Sequence, residues 1–265
     1  MPPRVMNMRA STGNRIKQLG FNLARRCFSK VLWDLAVQDL TDTEKLIVSK
    51  ALPFTMTSVE RLVSLVNSVN YLTKNDIPGD IAECGVWRGG SMMAAALALI
   101  AAGDTNRTLY LYDTFEGMPD PSKNDTDFAG KPAISLLQSY RKGTGIWCFA
   151  TLEEVQKNIY STGYPPDKIK FIKGKVEDTL AAARPEKLSL LRLDTDWYES
   201  TKLELEILYP ILHKDGILIL DDYGYWQGAR QAVDEYFDKR NIRVFLHRVD
   251  NSGRIVVGGG ATNAN

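Results

Sequence analysis

"KLSLLRLDTDWYES", residues 187–200, decides how this 265-residue chain is read. Its first half is a short apolar run of the kind that makes a strand buried on both faces, and its second half opens a helix. Asp194 and Asp196 stand at the junction. Residues i and i+2 of a strand point the same way, so both carboxylates can face one site. The bland alternative is a solvated turn or a helix cap.

Outward from this stretch the same grammar recurs. "DIAECG", "TLYLYD", "KIKFIKG" and "GILILDD" are further apolar runs, separated by predicted helices near residues 90–102, 151–161, 176–183 and 199–212. Strand and helix in alternation imply a parallel sheet covered on both faces. After a helix near 228–240, "IRVFLHRV" and "RIVVGG" flank the turn signal "DNSG", which reads as a terminal hairpin. Upstream, Thr41 with Glu44 and Thr57 with Glu60 have capping-box spacing. Val59, Leu62, Val63, Val66, Val69 and Leu72 then follow helical periodicity, a stripe that covers the active site or meets another subunit. The expected division is a basic extension over 1–40, a helical cap over 41–78 and a catalytic domain over 79–260.

Composition fits this picture. Hydrophobic residues make up 44% of the chain, enough for a sizeable core. The net charge of +1 hides an asymmetry, because residues 1–30 hold seven Lys or Arg and no acid. The remainder is mildly acidic, which argues against a nucleic-acid partner. "RIKQLGFNLARRCFSKVLW" in that extension reads as a basic amphipathic helix that docks a partner or lies on the protein surface, with a membrane-surface or organelle-targeting role as the alternative. Cys27, Cys84 and Cys148 are far apart and have no metal-ligand spacing, pointing to free thiols in a reducing, cytoplasmic setting. The longest apolar run, "MMAAALALIAA", is too short for a transmembrane segment.

Ligands of open parallel sheets bind beyond the carboxyl ends of the strands. Those ends carry Glu83 with "CGVWRGGS", Asp113, "GKVEDTL", Asp194 with Asp196, and Asp221 with Asp222. Gly85, Gly89 and Gly90 allow close backbone approach to a ligand, but their spacing is not the dinucleotide G-x-G-x-x-G, and Arg88 suits a carboxylate. Asp113 is either a ribose acceptor or an N-cap, and Glu177 and Asp178 either meet an adenine or complement a helix dipole. Asp194, Asp196, Asp221 and Asp222 together would repel one another without a positive charge among them, and oxygen ligands select a hard cation, Mg²⁺ first. His213 and His247 fall away from this cluster, and no nucleophile elbow is present. Trp87, Trp197 and Trp226 sit in strand-exit loops where they either wall a pocket or pack the core.

The stretches "DIAECGVWRGGS", "LYDTFEGMP", "KGKVEDTL", "LRLDTDWYESTKLELEILYPIL" and "GILILDDYGYWQGARQAVDEYF", with "MTSVERL" at 56–62, resemble the macrocin O-methyltransferase (TylF-like) family. The resemblance implies an α/β class I (Rossmann-like) methyltransferase fold, a mostly parallel seven-stranded sheet ending in an antiparallel hairpin. It implies S-adenosylmethionine as methyl donor, Mg²⁺ as metal and a sugar or glycoside as small-molecule acceptor, in a homo-oligomer. Carried over by motif, Asp194, Asp221 and Asp222 become metal ligands and Asp196 the general base. Glu83, Gly85, Arg88 and Gly89 would surround the methionine part, Asp113 the ribose, and Glu177 or Asp178 the adenine. Thr57, Val86, Ser91, Thr114, Phe115 and Gly117 complete the expected cofactor set. Residues 118–148 match nothing securely and are expected to shape the acceptor pocket. A catechol-type methyltransferase and a non-catalytic S-adenosylmethionine-binding protein are the competing readings; a nicotinamide oxidoreductase is disfavoured by the glycine spacing.

Overall fold

The structure is a computed structural model that describes residues 33–139 and 149–258. The basic amphipathic segment, Cys27, Cys148 and the end of the 118–148 stretch lie outside the described residues. The chain divides into two compact units, Met1–Thr41 and Asp42–Asn265. All that follows concerns the second.

Five parallel strands form its centre: β1 (Asp80–Cys84), β2 (Leu109–Asp113), β3 (Ile169–Lys173), β4 (Leu188–Leu193) and β5 (Leu212–Leu220). Two short strands, β6 (His247–Arg248) and β7 (Arg254–Val257), form a hairpin whose second strand pairs antiparallel with β5. The order β3-β2-β1-β4-β5-β7-β6 reverses direction between β1 and β4. A cleft opens at such a switch point beyond the carboxyl ends of the strands.

The helices follow their sequence signals closely. α1 (Asp42–Ala51) and α2 (Val59–Lys74) precede β1, and α3 (Gly90–Ala102) follows it. α3 is apolar around its whole circumference, so it must be buried on all sides. Up to Leu99 it nearly is: Met92, Met93, Ala94, Ala95, Ala96, Ala98 and Leu99 are buried, under α1, α2 and α5 (Leu152–Tyr160), while the last turn, 100–102, is exposed. α6 (Val176–Ala183), α7 (Tyr198–Leu208) and α8 (Gln227–Lys239) complete the layers, and α4 (Ala133–Ser139) lies in the stretch that had matched nothing.

Three expectations shift. The cap of α2 is Ser58, whose hydroxyl accepts from Arg61 N at 3.2 Å, one residue after the expected Thr57. Its buried stripe runs through Leu65 in place of Val63. The "IRVFL" part of the expected hairpin is not strand, and Phe245 within it is 80% exposed.

Candidate active site

Every residue of β4 is buried, including Arg192. A guanidinium is almost never fully buried without partners. Strand register supplies the first, since Glu83 of β1 lies opposite Arg192 and its Oε1 accepts from Nη1 at 2.6 Å. Nη1 also reaches Asp194 Oδ2 at 2.6 Å, and Nη2 reaches Asp221 Oδ1 at 2.5 Å. One fixed cation thus holds acids from the ends of three neighbouring strands.

A second cation approaches from above. Arg61 of α2 pairs through Nη1 with Asp221 Oδ2 and through Nε with Asp250 Oδ2 at 2.9 Å. Thr57 adds its hydroxyl to Asp221 Oδ1 at 3.2 Å, and Ser252 Oγ donates to the Asp221 carbonyl at 2.7 Å. The "DNSG" turn, read in the sequence only as a hairpin, therefore forms one wall of the acid cluster.

Asp196 reaches the same place by an unexpected route. The strand ends at Leu193, and Asp196 has φ 67°, so the i, i+2 rule for extended chain does not apply. Its backbone N–H donates to Asp222 Oδ2 at 3.1 Å, and Trp226 Nε1 donates to its Oδ1 at 2.5 Å. Trp226 is itself packed edge to face on Trp197, with ring centroids 4.9 Å apart. Burial, with help from the neighbouring Asp194 charge, pushes the Asp196 carboxyl up to about 7, against the opposing hydrogen bonds from Trp226 and Asp222. Burial raises Asp194 and Asp222 as well. The Asp194 side chain nevertheless keeps 30% of its surface open to the cleft, so it lies deep in the protein and is still reachable.

Asp194, Asp221 and Asp222 each bring one carboxylate oxygen within 4.8 Å of the others. Among the described residues Asp194 Oδ1 and Asp222 Oδ1 accept no hydrogen bond, while both Asp221 oxygens are already held. An all-oxygen set of this kind fits a hard divalent cation, with two uncommitted ligands and one shared.

The other half of the cleft is made of backbone. Gly85 has φ 81°, and a Cβ there would fall 1.9 Å from the Asp194 carbonyl oxygen. Only glycine lets the β1 exit lie against the β4 exit. Asp113 Oδ2 accepts from Val86 N at 2.7 Å and Trp87 N at 3.1 Å, and its Oδ1 accepts from Phe115 N at 2.7 Å. Asp113 thus pins two loops and still borders the cleft.

The cleft encloses about 320 Å³, within the range of small-ligand sites. Of the expected residues, Thr57, Gly85, Val86, Ser91, Asp113, Thr114, Gly117, Glu177, Asp194, Asp196, Asp221 and Asp222 line it. Five do not. Glu83 is 1% exposed and serves Arg192 beneath the floor, with its second oxygen unpartnered and burial pushing it up to about 7. Arg88 pairs with Glu154 at 2.6 Å and the Pro53 carbonyl at 3.1 Å, off the cleft lining. Gly89 packs on Ile159, Phe115 is buried beside the cleft, and Asp178 lies exposed one position beyond Glu177. Trp87 and Trp226 are wall residues, and His213 and His247 are remote from it.

Sequence reasoning missed five contributors. Arg192 had a signal, a charge inside "LSLLRL", which a buried strand tolerates only with partners. Arg61 and Asp250 had none, being 189 positions apart. Asp125, 1% exposed in the stretch that matched nothing, accepts from Tyr198 N at 2.8 Å and from Ser122 N at 2.6 Å, tying that loop to the start of α7. Glu204 is fully buried below the Asp194–Asp196 turn, where Thr195 Oγ1 donates to it at 3.2 Å and burial pushes it up to about 8.

The geometry can be set beside known proteins. The family described as macrocin-O-methyltransferase (TylF) matches residues 38–256. The 8-demethyl-8-(2,3-dimethoxy-alpha-L-rhamnosyl)-tetracenomycin-C 4'-O-methyltransferase of Streptomyces olivaceus is 35% identical over 199 residues, 75% of this chain and 73% of that one. Demethyldecarbamoylnovobiocin O-methyltransferase of Streptomyces niveus is 34% identical over the same shares. Among solved structures, the O-methyltransferase NovP superposes with a TM-score of 0.69 at 32% identity, covering 77% of this chain and 82% of that chain. The chain belongs to the macrocin O-methyltransferase (TylF) family and is an S-adenosylmethionine-dependent O-methyltransferase.

Proposed function

We propose that the protein methylates a hydroxyl of a sugar or glycosylated natural product, with a divalent cation, Mg²⁺ first, held at the carboxyl ends of β4 and β5. The observation that carries this reading is the convergence of Asp194, Asp221 and Asp222 on one point with Asp196 beside them. The rhamnosyl acceptor in one relative's name and the 3''-O position in that of the mycinamicin III enzyme of Micromonospora griseorubida, 32% identical, support a sugar.

S-adenosylmethionine supplies an electrophilic methyl carbon when bound. The backbone half of the cleft suits it: the first turn of α3 offers N–H groups and Ser91 to a carboxylate, while Asp113 and Glu177 offer acceptors to hydroxyl and amino groups. Asp194 and Asp222, with Asp221 shared, would hold the cation, which when bound would lower a hydroxyl pKa as it does that of bound water. Asp196 is the base. Trp226 and the Asp222 contact fix its orientation, and the carboxyl oxygen that Trp226 does not hold takes the hydroxyl proton as the C–O bond forms and the C–S bond breaks.

The test is methyl transfer to a panel of glycosylated and catechol acceptors, in Mg²⁺ and then in excess chelator. Turnover of a glycoside that collapses in chelator and returns with Mg²⁺ is expected. Undiminished turnover in chelator would remove the metal, and transfer confined to catechols would remove the sugar.

A further inference from the structure

Asp221 is central to the acid cluster, yet it is the member whose two oxygens already face cations. Arg192 is inaccessible and permanent. Arg61 differs, because it reaches over the cleft from α2, lines the cleft wall and retains 16% side-chain exposure. Its path is built: Gly253 lacks a side chain where a Cβ would lie 2.7 Å from Arg61 Cδ and 2.9 Å from Cγ. Its Nε is anchored on Asp250 at 2.9 Å, whose own Oδ1 is fixed by the Ser252 and Gly253 N–H groups at 2.8 and 2.6 Å. A guanidinium so placed acts on the cluster as a unit positive charge close to the point where the carboxylates converge.

We propose that Arg61 is a resident counter-cation that competes with a divalent metal for Asp221 and so sets the affinity of the site for that metal. This rests on the metal reading above. A fixed charge a few ångströms from an incoming dication opposes its entry, and an oxygen that already accepts from guanidinium is a weaker ligand. The arrangement gives a weak, exchangeable metal site from three carboxylates that would otherwise bind tightly.

The experiment is Mn²⁺ binding to the full-length protein without acceptor, followed by electron paramagnetic resonance of the free ion, in wild type, Arg61→Gln and Gly253→Ala. Arg61→Gln should bind Mn²⁺ about tenfold or more tightly, the order expected for one unit charge at this range. Gly253→Ala, which crowds Arg61 off its path while keeping the charge nearby, should tighten binding by less. Circular dichroism melting identifies any variant that does not fold, and the remaining one then carries the test. Unchanged or weaker Mn²⁺ binding in a folded variant overturns the role of Arg61. Wild type and both variants all failing to bind Mn²⁺ would instead overturn the metal reading itself.

Discussion

The two halves of the cleft are built in different ways. At the ends of β1, β2 and β3 the walls are backbone turns, held by Gly85 and by the three N–H groups that Asp113 accepts. At the ends of β4 and β5 they are side chains: Arg192 and Arg61 distributed among Glu83, Asp194, Asp221 and Asp250. A backbone wall needs a short local motif, whereas an ion network needs partners from anywhere in the chain. The first should fail when geometry is disturbed, and the second when charge is.

Gly85→Ala strikes the seam between the halves and should be the most damaging change. A side chain at φ 81° placed 1.9 Å from the Asp194 carbonyl oxygen must move one strand exit or the other. A loss of about 4 kcal/mol or more is expected by chemical denaturation, with both donor binding and metal binding impaired. Survival of either function at wild-type strength would separate two loops that are in contact here.

Arg192→Leu removes charge without changing the backbone half. Three acids then lose their buried partner, at a cost of about 3–5 kcal/mol unless they take up protons. Donor binding measured by calorimetry should fall far less than methyl-transfer turnover. Equal losses would mean that the halves are not independent.

Glu204→Gln gives the smallest effect and tests what lies beneath the Asp194–Asp196 turn. Glu204 ionises near 8 when folded and near 4.3 when unfolded, so the folded state binds the extra proton between those values and wild-type stability falls as pH rises through that window. The glutamine variant lacks this proton linkage. The stability lost between pH 5 and pH 8 should shrink by on the order of 1–3 kcal/mol relative to wild type, measured by urea denaturation. An identical pH dependence in the two proteins would show that Glu204 is already ionised.

This contrast also explains what the sequence disclosed. Helix positions near 90–102 and 176–183 coincide with α3 and α6, because glycines bound the first at both ends and acids mark the first turn of the second. The acid cluster was legible because Asp194, Asp196, Asp221 and Asp222 each follow an apolar run. The left-handed turn at Asp196 was not, and extended geometry gave the right juxtaposition for the wrong reason. The partner of Arg88 was not legible, because its position within a glycine loop says nothing of Glu154, 66 residues on. Arg61, Asp125 and Asp250 reach the site through long-range contacts, to Asp221, Tyr198 and Arg61 respectively, which neither spacing nor composition encodes.

Asp196→Asn with paired readouts bears most directly on the proposal that Asp196 is the base. Single-turnover methyl transfer to an accepted glycoside should fall by roughly 10² to 10⁴, the usual contribution of a general base. Calorimetric binding of S-adenosylmethionine should stay within a few-fold of wild type, because Asp113 and the Gly85 loop are untouched. Transfer at near wild-type rate by a variant that binds the donor normally would contradict the assignment.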